Sequence, residues 1–305
     1  MISTRPPFQV QESNGTTNNS ILVTGIGGPA GKAATAFLRG RGLKVIGTDI
    51  HDINDHAGEF HLVPRGDDPQ FGTAMIELLR HTRPFLVIPT VSEELPPTSR
   101  IRNRILNVGA RVFISDPVAV DIANDKLITM TELGRCGIPI PQTASGVDAK
   151  TAGKKLGYPL LVKPRVSRGG RGVLLYQEES EVTQERRTDV VWQEFMPGEE
   201  YDLNLFAYPV GQVRSLVVLQ KTLMKQGIVG NALSVQRVDC SDVAELGYRV
   251  AKILGLEGPI DMDIRRDRNG VPKLLEINAR LGANVLAASE ILESLLITAE
   301  EGVFA

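Results

Sequence analysis

The stretch Pro259-Ile260-Asp261-Met262-Asp263-Ile264-Arg265-Arg266-Asp267-Arg268-Asn269-Gly270-Val271-Pro272-Lys273-Leu274-Leu275-Glu276-Ile277-Asn278-Ala279-Arg280 decides how this chain is read. Asn269-Gly270 between two alternating runs is the strongest short-range hairpin signal. Side chains alternate along a strand, so Asp261 and Asp263 share a face, as do Glu276 and Asn278. With a two-residue turn at Asn269-Gly270, Arg268 pairs with Val271, Asp263 stands opposite Glu276, and Asp261 opposite Asn278. Three carboxylates and an amide oxygen then gather on one face, with Arg280 just beyond. Packed carboxylates repel unless a cation neutralises them. Oxygen-only donors favour a hard ion such as Mg²⁺, which usually takes phosphate oxygens too. The competing reading is a solvated polar face on an edge hairpin. The apolar reverse face (Ile260, Met262, Ile264, Leu275, Ile277) needs burial and speaks against it.

The chain of 305 residues has room for two or three lobes with a large core. A hydrophobic content of 42% and a charged content of 23% are ordinary for a soluble globular protein. The net charge of −2 offers no field for nucleic acid or an anionic membrane. No apolar run reaches the ~18 residues of a membrane span, and the N-terminus lacks the order of a signal peptide. Cys136 and Cys240 have no motif spacing and suit a reducing cytoplasm as structural thiols. Residues 1–20 are polar and read as a disordered tail.

From residue 21 strands and helices alternate: strands at 21–24, 43–48, 85–89 and 111–115, a helix entered through the 25–31 turn and running to about 39, and helices at 71–81 and 95–108. This predicts a parallel βαβ layer of about four strands over 21–115. A helical stretch over 116–136 follows, then a small α+β lobe. The lobe has a helix at 148–156, strands at 159–164, 172–176 and 190–195, and a charged helix at 178–187. Strands then dominate at 201–208, 212–220 and 232–238, and a helix at 241–254 precedes the hairpin.

Several shorter motifs carry chemistry. Thr24-Gly25-x-x-Gly28-x-x-Gly31, with Asp49 ending the second strand, is an anion-seeking strand-to-helix turn. It resembles the fingerprint of extended short-chain dehydrogenases, and Tyr248-x-x-x-Lys252 has the spacing of their catalytic pair. That pair lies very late in the chain among ordinary helix residues, and the dehydrogenase reading leaves the carboxylate hairpin unexplained. Lys163, in the apolar strand Leu160-Leu161-Val162-Lys163-Pro164, calls for an anionic partner. The glycine-rich loop Arg165-Val166-Ser167-Arg168-Gly169-Gly170-Arg171-Gly172 can wrap phosphates with backbone N–H groups and arginines. In Gln193-Glu194-Phe195-Met196-Pro197-Gly198-Glu199-Glu200, a strand edge can pair with adenine and a carboxylate with ribose. Asn124-Asp125-Lys126 reads locally as helix capping. His51, His56 and His61 lack an i, i+4 pair and read as surface residues.

In this order the four segments resemble the ATP-grasp superfamily over 21–280, most closely the group like the carbamoyl-phosphate synthase large subunit, with its many carboxylate–amine ligases. The resemblance implies a mixed α/β and α+β fold. It divides the chain into a tail (1–20), a Rossmann-like pre-ATP-grasp domain (21–115), linker helices and lid lobe (116–195) and a catalytic lobe with an antiparallel sheet (196–305). It implies ATP and Mg²⁺ or Mn²⁺ as cofactors, with Lys126 and Lys163 on the phosphates. The loop Ser167, Arg168, Gly169, Gly170, Arg171 and Gly172 would close over them. Glu194, Phe195 and Met196 would form the adenine hinge, and Glu200 would hold ribose. Asp263, Glu276 and Asn278 would bind metal, and Arg280 and Lys221 would serve catalysis. The implied reaction joins a small carboxylate to an amine through an acyl phosphate, forming ADP and phosphate. The alternatives are the NAD(P)-dependent dehydrogenase and a degenerate, non-catalytic ATP-binding protein. Asn204 departs from the acidic residue of many relatives, and Asp263 replaces a glutamine of carbamoyl-phosphate synthases. Few closing helices follow Arg280, which raises the expectation of a homodimer that completes the pocket.

Overall fold

The structure, a computed structural model, describes residues 20–53, 58–182, 189–226 and 229–302. The expected tail therefore falls outside the described residues except for Ser20, which already belongs to the first strand. His56 also lies outside them.

Three sheets organise the molecule. The first is parallel, with β1 (Ser20–Val23), β2 (Lys44–Asp49), β3 (Phe60–Leu62), β4 (Leu86–Ile88) and β5 (Arg111–Val112) in the order β3-β2-β1-β4-β5. Consecutive Ile21, Leu22 and Val23 are all fully buried, as a parallel strand covered on both faces requires. The edge strand β3 was not expected, because its three residues show neither alternation nor an apolar run. Helices α1 (Pro29–Gly40), α2 (Phe71–Thr82), α3 (Leu95–Arg100) and α4 (Arg102–Asn107) flank this sheet. A single helix over 95–108 is corrected to two. The backbone leaves helical geometry at Ile101, which lets Leu95 enter one core while Ile101 and Ile105 enter another. At the turn into α1, a Cβ on Gly31 would lie 2.2 Å from the Gly25 carbonyl oxygen, so only glycine fits there.

The stretch 116–136 is likewise two helices, α5 (Pro117–Asn124) and α6 (Lys126–Arg135). Asp116 caps the first, accepting from the Val118 and Ala119 N–H groups. Asp125 breaks the path and caps the second, accepting from Leu127 and Ile128. The same carboxylate receives a forked ion pair from Arg165, with an Nη2–Oδ2 distance of 2.6 Å. The capping residue thus also ties α6 to the glycine-rich loop.

The second sheet is antiparallel, with β6 (Thr143–Ala144), β7 (Leu160–Pro164), β8 (Leu174–Tyr176) and β9 (Val190–Glu194) in the order β6-β9-β7-β8, backed by α7 (Ala149–Leu156). Where a helix over 178–187 was expected, a 3₁₀ turn spans Glu179–Glu181, and 183–188 lie outside the described residues.

The third sheet is antiparallel too, with β10 (Glu200–Ala207), β11 (Val213–Gln226), β12 (Val229–Arg237), β13 (Gly258–Arg266) and β14 (Pro272–Asn278) in the order β12-β11-β10-β13-β14. Helix α8 (Ser241–Leu254) covers its apolar face, and α9 (Glu290–Glu301) packs in the core shared with α1 and β1.

The hairpin differs from expectation in a way that cancels. Its turn spans 267–271: Arg266 pairs with Pro272, and the Asp267 N–H donates to the Val271 carbonyl. That shifts the register by one residue. A bulge between the Ile264–Leu274 and Asp263–Glu276 pairs then shifts it back. Asp263 faces Glu276 and Asp261 faces Asn278 as the simple turn required. The bulge sends Leu274 into the core in place of Leu275, which is corrected to the polar face.

Asp125→Ala removes both the cap and the Arg165 anchor, so folding stability should fall by about 1–3 kcal/mol. Denaturant unfolding of the variant measures this; an unchanged midpoint would show that neither contact matters.

Candidate active site

The site grows from one face of the third sheet. Register aligns Asp202 with Asp263 and Asn204 with Asp261, and brings Glu276 and Asn278 alongside. On the reverse face Tyr201, Leu203, Met262, Ile264, Leu274 and Ile277 pack against Val243, Leu246 and Val250 of α8. Burying one face forces the polar residues onto the other.

Cations from other elements meet this face. Lys221 of β11 donates to Glu200 Oε1 at 2.7 Å and to Asp263 Oδ1 at 2.5 Å. Lys126, the first residue of α6, lies 3.1 Å from Glu276 Oε2 and donates to the Ser167 carbonyl at 2.7 Å. Arg280 donates to Ser92 Oγ at 2.9 Å and to Asn278 Oδ1 at 3.2 Å.

Burial alone would raise the Glu276 carboxyl, but Lys126 and Lys163 outweigh it and hold it at about 2. Burial pushes Asp263 up to about 7 against the pull of Lys221, because Glu276, Glu200 and Asp202 crowd it. Burial lowers the Lys163 ammonium, and Lys126 adds to the effect while Glu276 opposes it. Arg168 is pushed down to about 10 by burial and by Arg171 and Arg280. The site therefore holds crowded carboxylates beside a cluster of mutually repelling cations, a pattern that favours both a metal ion and a polyanion.

The second sheet supplies the opposite wall. Leu161 and Lys163 share a face of β7, while Leu160 and Val162 enter the lobe's own core. The loop beyond Lys163 turns through Gly169, Gly170 and Gly172, all with φ between 60° and 74°. Glu194 Oε1 accepts from the Gln142 N–H at 2.8 Å and from Lys273 Nζ at 3.0 Å, fixing the end of β9 against the hairpin.

A cleft between these walls is lined by Lys126, Lys163, Ser167, Arg168, Gly169, Gly170, Glu194, Met196, Glu200, Asp263 and Glu276. It opens into a second cavity of about 300 Å³, where Arg171, Lys221, Asn278 and Arg280 join Arg168, Gly169, Asp263 and Glu276. Two sequence-predicted residues stand apart. The Phe195 ring packs under the Arg265 guanidinium, 5.1 Å from its centroid. Gly172 lies against Pro164. Leu161, Gln193, Arg265 and Leu275 also line the cleft, and Asp202 lines the second cavity, although sequence reasoning missed them; Ser92 and Asn284, from the 90–94 and 282–286 loops that the sequence offers as sources of pocket residues, line it too. Alternation with Lys163 and Glu200 was a usable signal for Leu161 and Asp202; Leu275 had none, because its exposure depends on the bulge. Among the described residues no three acidic, His or Cys side chains converge into a ready-made metal cage, since Glu276 turns to Lys126 and Asp263 to Lys221. Tyr248 and Lys252 lie on the solvent side of α8.

A parallel domain joined to two antiparallel sheets, with lysines and carboxylates in the cleft between them, defines a nucleotide-grasping class of fold. The model of the ATP-grasp domain family matches residues 123–284, and the chain belongs to that family. It is 29% identical over 116 residues to the carbamoyl phosphate synthase large chain of Rubrobacter xylanophilus, a match covering 37% of this chain and only 11% of that one. It is 25% identical over 189 residues to the D-alanine–D-alanine ligase of a Synechococcus species, covering 55% of this chain and 58% of the relative. Among solved structures, the L-amino acid ligase of Bacillus licheniformis superposes with a TM-score of 0.68 at 19% identity, over 90% of this chain and 70% of that one. The biotin carboxylase of Campylobacter jejuni gives 0.70 at 15%, over 94% and 72%. At these identities the superpositions establish the shared fold. Among the described residues no helix is long and apolar enough to cross a membrane.

Beside the glycine turn, a third cavity of about 230 Å³ is bounded by Gly25, Asp49, Arg65 and Glu94. Glu94 is 2% exposed, its Oε2 has no partner among the described residues, and burial pushes its carboxyl from 4.5 to about 7. A raised acid pKa means the folded state holds the proton longer, so stability should fall as pH rises from 4.5 to about 7 and level off above that. The loss amounts to at most about 3 kcal/mol. Glu94→Gln should flatten this segment of the stability–pH curve; an unaltered slope in urea titrations at stepped pH would count against the assignment.

Proposed function

We propose that the chain is an ATP-dependent carboxylate–amine ligase acting through an acyl phosphate. The observation that carries this reading is the join between the two cavities at Asp263 and Glu276. A lysine- and glycine-lined cleft suited to a nucleotide opens there into a separate polar chamber that can hold other reactants. In this reading Lys126 and Lys163 bind the ATP phosphates, and the loop of Ser167, Arg168, Gly169, Gly170, Arg171 and Gly172 closes over them. Glu194 and Met196 border the base, with the Phe195 backbone beside them, and Glu200 takes ribose hydroxyls. Lys221 keeps Glu200 and Asp263 in place between nucleotide and chamber.

The donor set fits Mg²⁺ or Mn²⁺. Such ions need only one or two carboxylates beside phosphate oxygens and water, and Asp263 and Glu276, with the Asn278 amide oxygen, are all-oxygen donors in a crowded negative environment. When bound, the metal would screen the phosphate charge as it builds.

An oxygen of the substrate carboxylate attacks the γ-phosphorus, the bond to the β,γ-bridging oxygen breaks, and ADP leaves. Arg280, fixed by Ser92 and Asn278, offers a guanidinium to the transferring group. The amine loses one proton to free its lone pair, its nitrogen attacks the acyl carbon, phosphate departs, and the nitrogen sheds a second proton to give the amide. Closure of the loop keeps water from the acyl phosphate. Such a protein works on small molecules where ATP is abundant, and its free cysteines, Cys136 and Cys240, suit the cytoplasm.

Calorimetric titration with Mg²⁺-ATP should show binding, and NAD(P) should show none; the reverse pattern would sink the reading. Glu276→Gln removes one charge at nearly constant shape and should lower ADP release by on the order of 100-fold or more with the fold retained. A folded variant with wild-type turnover would exclude Glu276 from the chemistry. Hydrogen exchange over 142–194 should slow on adding Mg²⁺ and a non-hydrolysable ATP analogue, most of all at 167–172, where apolar contacts are few. Unchanged protection on confirmed binding would rule out a closing lobe.

A further inference from the structure

At one end of the polar patch two aspartates stand without a lysine. Asp202 accepts from two neutral carboxamides, Asn204 Nδ2 at 2.6 Å and Asn284 Nδ2 at 2.7 Å, and its carboxyl lies within hydrogen-bond reach of Asp261, which burial and Asp202 push well above the usual carboxylate range. Asp261 beside it is 8% exposed. Its Oδ2 lies 3.8 Å from Arg280 Nη1, beyond hydrogen-bond reach, and its Oδ1 is buried with no donor among the described residues. Both aspartates and Asn284 line the 300 Å³ chamber, and Arg280 lies in the same wall. Gly282 passes close to this pair: a Cβ there would stand 2.9 Å from Asn204 Oδ1 and 3.0 Å from the Asp261 carboxyl carbon, so any side chain would displace them. A carboxylate oxygen buried without a donor, on a residue that borders a cavity, is costly unless a ligand supplies one.

We infer that Asp202 and Asp261 form the subsite for the ammonium group of the amine substrate, and that the enzyme takes a primary amine. This rests on the ligase reading above. An ammonium carries three donors and no acceptor, which matches Asp261 Oδ1 and the remaining lone pairs of Asp202. A Mg²⁺ ion suits the place less well, because it demands near-octahedral oxygens and the Asp202 oxygens are already engaged by two amides. Arg280 borders both this pair and Asn278, so an amine held here is next to the group we assign to the transferring phosphoryl.

The test uses the full chain and ethylammonium as the probe, with ethanol as the neutral control and tetramethylammonium as a cation without N–H donors. Without nucleotide, ethylammonium should raise the melting temperature and the two controls should not. In Asp261→Asn the apparent affinity should fall about tenfold or more, as loss of a charged hydrogen bond implies. Gly282→Ala keeps every carboxylate but presses a Cβ against Asn204 and Asp261 and displaces them, so it should show the same loss even if Asp261→Asn folds poorly. During turnover with a primary amine, both variants should raise KM for the amine with little change in KM for ATP. Equal responses to tetramethylammonium, undiminished ethylammonium binding in both variants, or displacement of ethylammonium by Mg²⁺ alone would each overturn the subsite. Failure of the ligase reading looks different. No amine would then trigger ADP release, yet ethylammonium would still bind the wild type and be lost from the variants, which upholds the subsite.

Discussion

Carboxylates crowded on one half-buried sheet face must be answered by positive charge, and much of the molecule is arranged to supply it. Glu200, Asp202, Asp261, Asp263 and Glu276 come from three adjacent strands whose other face is committed to α8. Their partners come from elsewhere: Lys221 from the neighbouring strand, Lys126 from a helix start, Arg280 from beyond the hairpin. Removing one partner from such a network leaves an uncompensated buried charge, which is costly. The same demand suits the face to the ligands proposed above, since a metal–polyanion pair would relieve both the crowded carboxylates and the repelling cations.

The lobes are joined through those compensating groups. Asp125 caps α6, pairs with Arg165, and thereby places Lys126 between Glu276 and the Ser167 carbonyl. Arg168 reaches across to Glu93 of the parallel domain, and Glu194 is pinned to the hairpin by Lys273. The glycine-rich loop therefore rests on ion pairs with both neighbouring units and has little apolar packing of its own. Such contacts are of the kind that phosphate oxygens can replace, and on the function proposed above that exchange would link occupancy of the cleft to the position of the lobe.

Part of this was legible in the chain. The run of Ile21, Leu22 and Val23 marked a doubly covered parallel strand, and the alternation through Asp261, Met262 and Asp263 marked a strand with one wet face. Lysine in the apolar strand ending at Pro164 and the glycines after it marked a lysine- and glycine-lined wall, and Lys163, Gly169 and Gly170 do line the cleft. The hairpin shows the limit of such reading. The expected turn was wrong by one residue, and a bulge near Leu275 restored the pairing, so the carboxylate face came out as expected while Leu274 and Leu275 exchanged places. Bulges answer to packing across a sheet, and local pattern does not encode them.

By itself the sequence determined which residues alternate, which loops need glycine and which strands must be buried, because these depend on periodicities and backbone limits local to the chain. Tertiary structure decided which charges meet. Lys126 and Glu276 are far apart in the chain, as are Arg168 and Glu93, and nothing in either neighbourhood names the other. The Asp261 oxygen without a partner among the described residues and the close approach of Gly282 exist only once β10, β13 and the 280–284 loop close around one point. A cavity is set by what surrounds it from every side, and that is a property of the folded chain alone.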